Sequence, residues 1–281
     1  MVIFKEIKDL QKLVEREKTA GNSVGFFPTM GALHEGHLRL LEKAKAETAL
    51  AVCSIFVNPT QFNDKNDFDK YPITIENDIY LLETHGCDIL FLPSKEEIYP
   101  DGTALKEPYQ LGEIEHTLEG AFRPGHFQGV CQVVHRLLDI VQPDKLFMGQ
   151  KDYQQTMVVQ KMMDEKHIAT QMVIVPTSRA KNGLALSSRN ARLSEEQKDK
   201  ALALSRALAY VRNNIRKGVL HRLEKEARQQ ILENGFSKVD YVVIRNADSL
   251  ASVEKFDTGT PLVVLAAAYI GGVRLIDNML V

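Results

Sequence analysis

Residues 23–41, SVGFFPTMGALHEGHLRLL, constrain the fold most. Residues 23–27 have strand character. Pro28, Gly31 and Gly36 then interrupt, and Leu38, Leu40 and Leu41 resume at helical spacing. A strand, a tight glycine turn and a helix start follow one another. Backbone N–H groups at such a start lack intrahelical partners and suit an anion. His34 and His37 lie three apart, so they share a side of a helix beginning near Leu33. Two imidazoles there suit a phosphate-rich ligand on which negative charge builds. Zinc fits less well, because no nearby Cys or acidic cluster completes a ligand spacing.

Residues 50–57, LAVCSIFV, form a continuous apolar run, as expected of a strand covered on both faces. With residues 23–27 and a helix over 38–47 they make a right-handed βαβ unit, whose ligands collect at the carboxyl ends of its strands. Residues 89–92, 145–148 and 171–175 supply three more strands, separated by helices over 75–85, 130–140 and to about 166. A further helix covers 7–18. The prediction is an open, mostly parallel α/β sheet. Residues 63–71 and 94–110 read as loops, and 118–129, with Arg123 and His126, as a glycine-rich flap over a ligand.

Composition shifts after Pro176, which sets expected domains at 1–176 and 177–281. Ser194 and Gln197 form a capping box before helices over 195–217 and 220–234, broken at Gly218. Strands are expected at 239–244, 248–250, 262–269 and 273–276, with Gly271 and Gly272 as a hairpin turn. The second domain is therefore a smaller α+β unit.

Charge argues against wholesale nucleic-acid binding, since 35 Lys and Arg face 37 Asp and Glu. No signal-peptide pattern opens the chain, and the apolar stretch 261–270 is too short to span a bilayer, so a cytoplasmic location is expected. Cys53, Cys87 and Cys131 are widely spaced and read as buried thiols.

Four further groups could carry chemistry. Lys151 and Asp152 follow Gly149 and Gln150 at a strand end, where a lysine is well placed for phosphate. Ser187, Ser188 and Arg189 follow residues 183–186, GLAL, and could clamp a phosphate. The amides of Asn58, Gln61, Gln154 and Gln155 could read hydroxyls and a carboxylate. Arg123 and His126 could close a flap. Ordinary helix capping and surface polarity explain any one of these alone. No P-loop, GxGxxG or GxSxG pattern occurs, which disfavours P-loop kinases, dinucleotide dehydrogenases and serine hydrolases.

Five segments resemble the pantothenate synthetase (pantoate–β-alanine ligase) family: PTMGALHEGH at 28–37, FVNPTQF at 56–62, RPGHFQGV at 123–130, GQKDYQQ at 149–155 and GLALSSRN at 183–190. The family sits among adenylate-forming nucleotidyl transferases that include class I aminoacyl-tRNA synthetases. The resemblance implies a Rossmann-like domain of that type with a smaller C-terminal α+β domain. It implies ATP and Mg2+, pantoate and β-alanine as substrates, and a homodimer. His34, His37, Lys151 and Arg189 would act on the phosphates. Met30, Gly31, Gly149, Gln150, Asp152, Ser178, Leu186, Ser187 and Ser188 would complete the nucleotide site. Gln61, Gln155, Met30 and Asn58 would hold substrate, and Asp78 would place magnesium. Ser178, Asn182, Ile73 and Leu186 depart from the usual pattern without removing a reacting group. A same-fold ligase or nucleotidyltransferase for another small hydroxy acid is the alternative, as is a nucleotide-binding regulator.

Overall fold

The computed structural model describes residues 1–216 and 219–281, so the expected break at Gly218 lies outside the described residues. Nine strands are named in chain order: β1 Val2–Phe4, β2 Val24–Thr29, β3 Leu50–Ile55, β4 Ile89–Phe91, β5 Lys145–Gly149, β6 Gln171–Val175, β7 Lys238–Asn246, β8 Leu262–Ile270 and β9 Val273–Leu280. Ten helices accompany them: α1 Ile7–Thr19, α2 Glu35–Glu47, α3 Lys65–Asp69, α4 Ile75–Thr84, α5 Lys95–Ile98, α6 Glu119–Phe122, α7 His126–Val141, α8 Tyr153–Glu165, α9 Glu195–Asn214 and α10 Leu220–Glu233.

The chain divides into two compact units, Met1–Gln150 with Gln155–Pro176, and Lys151–Gln154 with Thr177–Val281. The first is built on a six-stranded sheet in the order β1-β4-β3-β2-β5-β6. Every pairing in it is parallel. This is the expected open parallel α/β sheet, with one strand more than predicted. The extra strand, β1, pairs Val2–Phe4 with Ile89–Phe91.

Successive residues of each inner strand serve opposite faces. Phe26, Val52 and Leu146 join Leu10, Val14, Leu137 and Met162 in one core. Phe27, Cys53 and Phe147 join Leu40, Leu41 and Leu82 in the other. Burial on both faces explains why these strands read as unbroken apolar runs. The strand order reverses where β2 lies between β3 and β5. In open α/β sheets, ligands bind at the carboxyl edge at such a switch point.

Four stretches differ from expectation. Residues 65–69 and 95–98 form short helices, capped by Asp64 and Ser94. Residues 119–122 form α6, and α7 begins at His126 rather than near 130, with His126, Phe127 and Gly129 buried. The expected strand at 248–250 is a turn.

In the second unit β7, β8 and β9 form an antiparallel sheet. Its core joins Ala201, Leu204 and Leu208 of α9 and Leu223 and Ile231 of α10 to Val242, Val264 and Ala266. The Ser194–Gln197 capping box forms as expected, with bonds of 3.2 and 3.0 Å. Gly271 and Gly272 join β8 to β9 with φ of +56° and +73°, a conformation glycine adopts without a Cβ penalty.

Candidate active site

β2 ends at Thr29, and Gly31 and Ala32 follow with φ of +80° and +49°. Two left-handed residues in succession turn neighbouring N–H groups the same way, the arrangement that holds anions. Here the anion is the protein's own. Asp78 on α4 accepts Ala32 N–H at 2.9 Å through Oδ2 and Leu33 N–H at 2.8 Å through Oδ1. The Thr74 hydroxyl donates to the same carboxylate at 3.0 Å. Asp78 is 0 % exposed. Its carboxylate shapes the turn through these three bonds.

The helix start that follows is capped by imidazoles. Gly36 N–H donates to His34 Nδ1 at 3.1 Å, and His34 N–H donates to His37 Nδ1 at 3.2 Å. This is the reciprocal geometry of a capping box, with ring nitrogens in place of a hydroxyl and a carboxylate. The two backbone donors face imidazole nitrogens. Because each Nδ1 lone pair accepts a bond, a neutral ring carries its proton on Nε2. The ring centroids are 4.1 Å apart, just beyond the carboxyl end of β2.

β3 leads into a 3-10 turn, Pro59–Gln61. Asn58 caps it and sits at a hydrogen-bonded node. Its Oδ1 accepts from Tyr99 Oη at 2.9 Å and from Thr60 Oγ1 at 3.1 Å. Its Nδ2 donates to the Gly129 carbonyl at 3.1 Å and to Gln61 Oε1 at 3.2 Å. Asn58 is only 1 % exposed, and its amide contact holds the Gln61 side chain. With Gln61 Oε1 accepting, Gln61 Nε2 is the donor that the turn presents. It lies 3.0 Å from Met30 Sδ. Gln155, in the first turn of α8 beyond β5, is half-buried. Met30, Gly31, His34, His37, Asn58, Gln61 and Gln155 therefore follow the ends of three adjacent strands, β2, β3 and β5.

The other predicted residues belong to the second unit or border it. Gln150, Lys151 and Asp152 form a 3-10 turn after Gly149. The Lys151 carbonyl accepts from Asn278 Nδ2 at 2.8 Å, and Lys151 Nζ lies 3.8 Å from Asp152 Oδ1. Leu186 N–H donates to the Ser178 carbonyl at 2.9 Å, closing a loop that Gly183 turns at φ +97°. Ser187 Oγ accepts from Arg189 N–H at 3.3 Å and caps a 3-10 turn, Ser188–Arg192. Arg179, which sequence reasoning passed over, anchors this loop. It donates to both oxygens of Asp277 at 2.7 and 2.9 Å, and to the Gly183 carbonyl at 3.3 Å.

The thiols of Cys53, Cys87 and Cys131 are buried. Burial pushes the Cys87 thiol up to about 12, and burial raises Cys53 and Cys131 as well.

A doubly wound parallel sheet with a donor-rich turn at its switch point defines a Rossmann-like α/β protein. Within that class, residues 2–280 match the model of the pantoate–β-alanine ligase family, and the chain belongs to that family. It is 41% identical over 283 residues to a pantothenate synthetase of Cytophaga hutchinsonii, covering 100% of this chain and 99% of that one. It is 44% identical to one of Pseudomonas fluorescens, covering 99% and 97%. The structure of pantothenate synthetase from Thermus thermophilus superposes with a TM-score of 0.91 at 39% identity, covering 99% of each chain. The Francisella tularensis ligase, solved with β-γ ATP and β-alanine, gives a TM-score of 0.83 at 38% identity, covering 100% and 97%.

Proposed function

We infer that this protein joins pantoate to β-alanine in an ATP-driven reaction through a pantoyl adenylate. The observation that carries the reading is the imidazole cap at the end of β2, next along the sheet edge from the Gln61 donor. A carboxylate is a poor acylating agent because oxide would have to leave. In the first step a pantoate carboxylate oxygen bonds to the α-phosphorus of ATP, and the bond from that phosphorus to the bridging oxygen breaks, releasing pyrophosphate. In the second step the β-alanine amine bonds to the acyl carbon, the acyl–oxygen bond breaks, and AMP leaves with loss of a proton from nitrogen.

The residues divide between these tasks. His34 and His37 donate from Nε2 to phosphate oxygens, where negative charge grows as pyrophosphate departs. Lys151 and Arg189 offset the repulsion between carboxylate and triphosphate, with Ser187 and Ser188 as hydroxyl donors. Gly149, Gln150, Asp152, Ser178 and Leu186 serve ribose and adenine, the last two through main chain. Gln61, Gln155 and Met30 hold pantoate. Most of the rate gain comes from alignment, since no enzyme-linked intermediate is needed.

Magnesium fits as the counter-ion of ATP rather than as a resident of a protein cage. Among the described residues no group of three His, Cys, Asp or Glu could hold an ion, and Asp78 is already committed to the turn. A homodimer and a cytoplasmic location complete the reading; no described helix is long and apolar enough to cross a membrane.

The deciding experiment is pyrophosphate release from ATP and magnesium. A single-turnover burst is expected with pantoate alone, and steady turnover on adding β-alanine. Release with another hydroxy acid but not with pantoate would replace the substrate while leaving the adenylating chemistry in place.

A further inference from the structure

We propose that His126 is a positioning residue for Gln61, held in a single tautomer by Arg123. The inference rests on the reading of Gln61 as a pantoate ligand.

The geometry leaves one arrangement of protons. His126 Nδ1 lies 2.8 Å from the Gln61 main-chain carbonyl. A carbonyl only accepts, so Nδ1 carries the proton. On the far side of the ring, Arg123 Nη1 lies 3.1 Å from Nε2. A guanidinium only donates, so Nε2 offers its lone pair. The neutral Nδ1–H form satisfies both contacts. An imidazolium would set a second N–H against the guanidinium. Arg123 Nη2 also reaches the Gln61 carbonyl at 3.4 Å, and Glu119 Oε2 stands 3.9 Å from Arg123 Nη1. A carboxylate, a guanidinium and an imidazole thus run in series to one carbonyl, with the ring only 5 % exposed.

The purpose of this chain lies in what Gln61 does at its other end. Asn58 takes Gln61 Oε1, and His126 takes the Gln61 main-chain oxygen. Both oxygens are tied down, and the side-chain NH2, which donates to Met30 Sδ at 3.0 Å, is the group left to meet substrate in the proposed site. The same helix holds the turn mechanically. A Cβ on Gly129 would lie 2.2 Å from the Thr60 carbonyl oxygen, so α7 and the 59–61 turn meet backbone to backbone. A shift in the first turn of α7 therefore passes to Gln61 without an intervening soft side chain.

Two measurements on the full chain test this. In His126→Asn the amide nitrogen replaces Nδ1 and keeps a donor for the Gln61 carbonyl. In His126→Gln the amide reaches toward the Nε2 position and leaves that carbonyl without its donor. The pantoate KM is expected to stay within about threefold of wild type in the Asn variant and to rise about tenfold in the Gln variant, the scale of one well-placed hydrogen bond, with the ATP KM steady in both. Histidine-selective 15N NMR should show a protonated Nδ1 and an unprotonated Nε2 for His126. The opposite tautomer, or equal pantoate KM in the Asn and Gln variants, would overturn the proposal. Gln61→Ala separates the two levels. A raised pantoate KM there, with no difference between the His126 variants, rejects the positioning role alone. An unchanged pantoate KM rejects the Gln61 assignment and this proposal with it.

Discussion

Arg179 and Asp277, 98 residues apart in sequence, form a two-point ion pair that closes the Ser178–Leu186 loop onto β9. Asp277 is almost wholly buried, and Asn278 on the same strand holds the Lys151 carbonyl. Two stretches assigned to the nucleotide, around Lys151 and around Ser187, are thus fastened to neighbouring residues of one strand.

Asp277→Ala leaves a guanidinium without its carboxylate and is expected to destabilise the protein by about 3 kcal/mol, the low end for a broken buried pair because Arg179 is partly exposed. Urea unfolding checks this. ATP affinity should fall in the same variant under folding conditions, while pantoate affinity holds. Unchanged ATP binding would detach the ion pair from the nucleotide site.

Asp78 offers a clean division between a metal role and a structural one. Asp78→Ala uncovers two backbone N–H groups in the turn and is expected to cost about 2–4 kcal/mol. Asp78→Asn keeps one acceptor and should cost less. The magnesium concentration for half-maximal activity should be the same in Asp78→Asn and wild type. A many-fold increase at unaltered stability would restore the carboxylate to the metal.

Gly129→Ala forces the 59–61 turn away from α7, because the added carbon would overlap the Thr60 carbonyl. Displacing a substrate ligand on the ångström scale lowers kcat/KM for pantoate about a hundredfold. Steady-state kinetics with ATP saturating measure this, and an effect confined to ATP would contradict the assignment of the turn.

Alkaline pH should weaken the fold. Below the ordinary thiol value of 9.0, Cys87 is protonated both folded and unfolded and contributes no pH dependence. Between 9.0 and about 12 the unfolded chain releases the proton and the folded one keeps it, so stability falls as pH rises. The slope is up to about 1.4 kcal/mol per pH unit for each such thiol. Denaturant midpoints from pH 8 to about 10.5 test it, and a flat profile would contradict buried thiols. Iodoacetamide should modify Cys53, Cys87 and Cys131 only in denaturant.

The parts of this architecture that local pattern controls are the parts a reader of the sequence can find. β2, β3 and β5 are covered on both faces and announce themselves as apolar runs. Ser194 and Gln197 carry the usual cap chemistry. β1 escapes because it has three residues, two of them exposed. The start of α7 escapes because proline and glycine punctuate it, although burial of His126 and Phe127 holds it helical. Within the site, the motif residues are visible but their division of labour is not. Asp78 reaches Ala32 across 46 positions, and Asn58 reaches Tyr99 across 41. Those contacts give the expected metal ligand and the expected substrate ligand supporting partners that no local pattern announces. The imidazole cap hides for a different reason: a search for Ser or Thr followed by Glu or Gln passes over two histidines.

That cap has a practical consequence for trapping the reaction. An alanine at 34 or 37 removes a helix cap along with the proposed phosphate donor, so such a variant is a poor inert control. Asparagine is different. Its Oδ1 can take the place of Nδ1 toward the backbone while nothing stands at Nε2. His34→Asn with His37→Asn would yield a catalytically silent decoy with its helix start intact, able to hold ATP and pantoate side by side long enough to be crystallised unreacted.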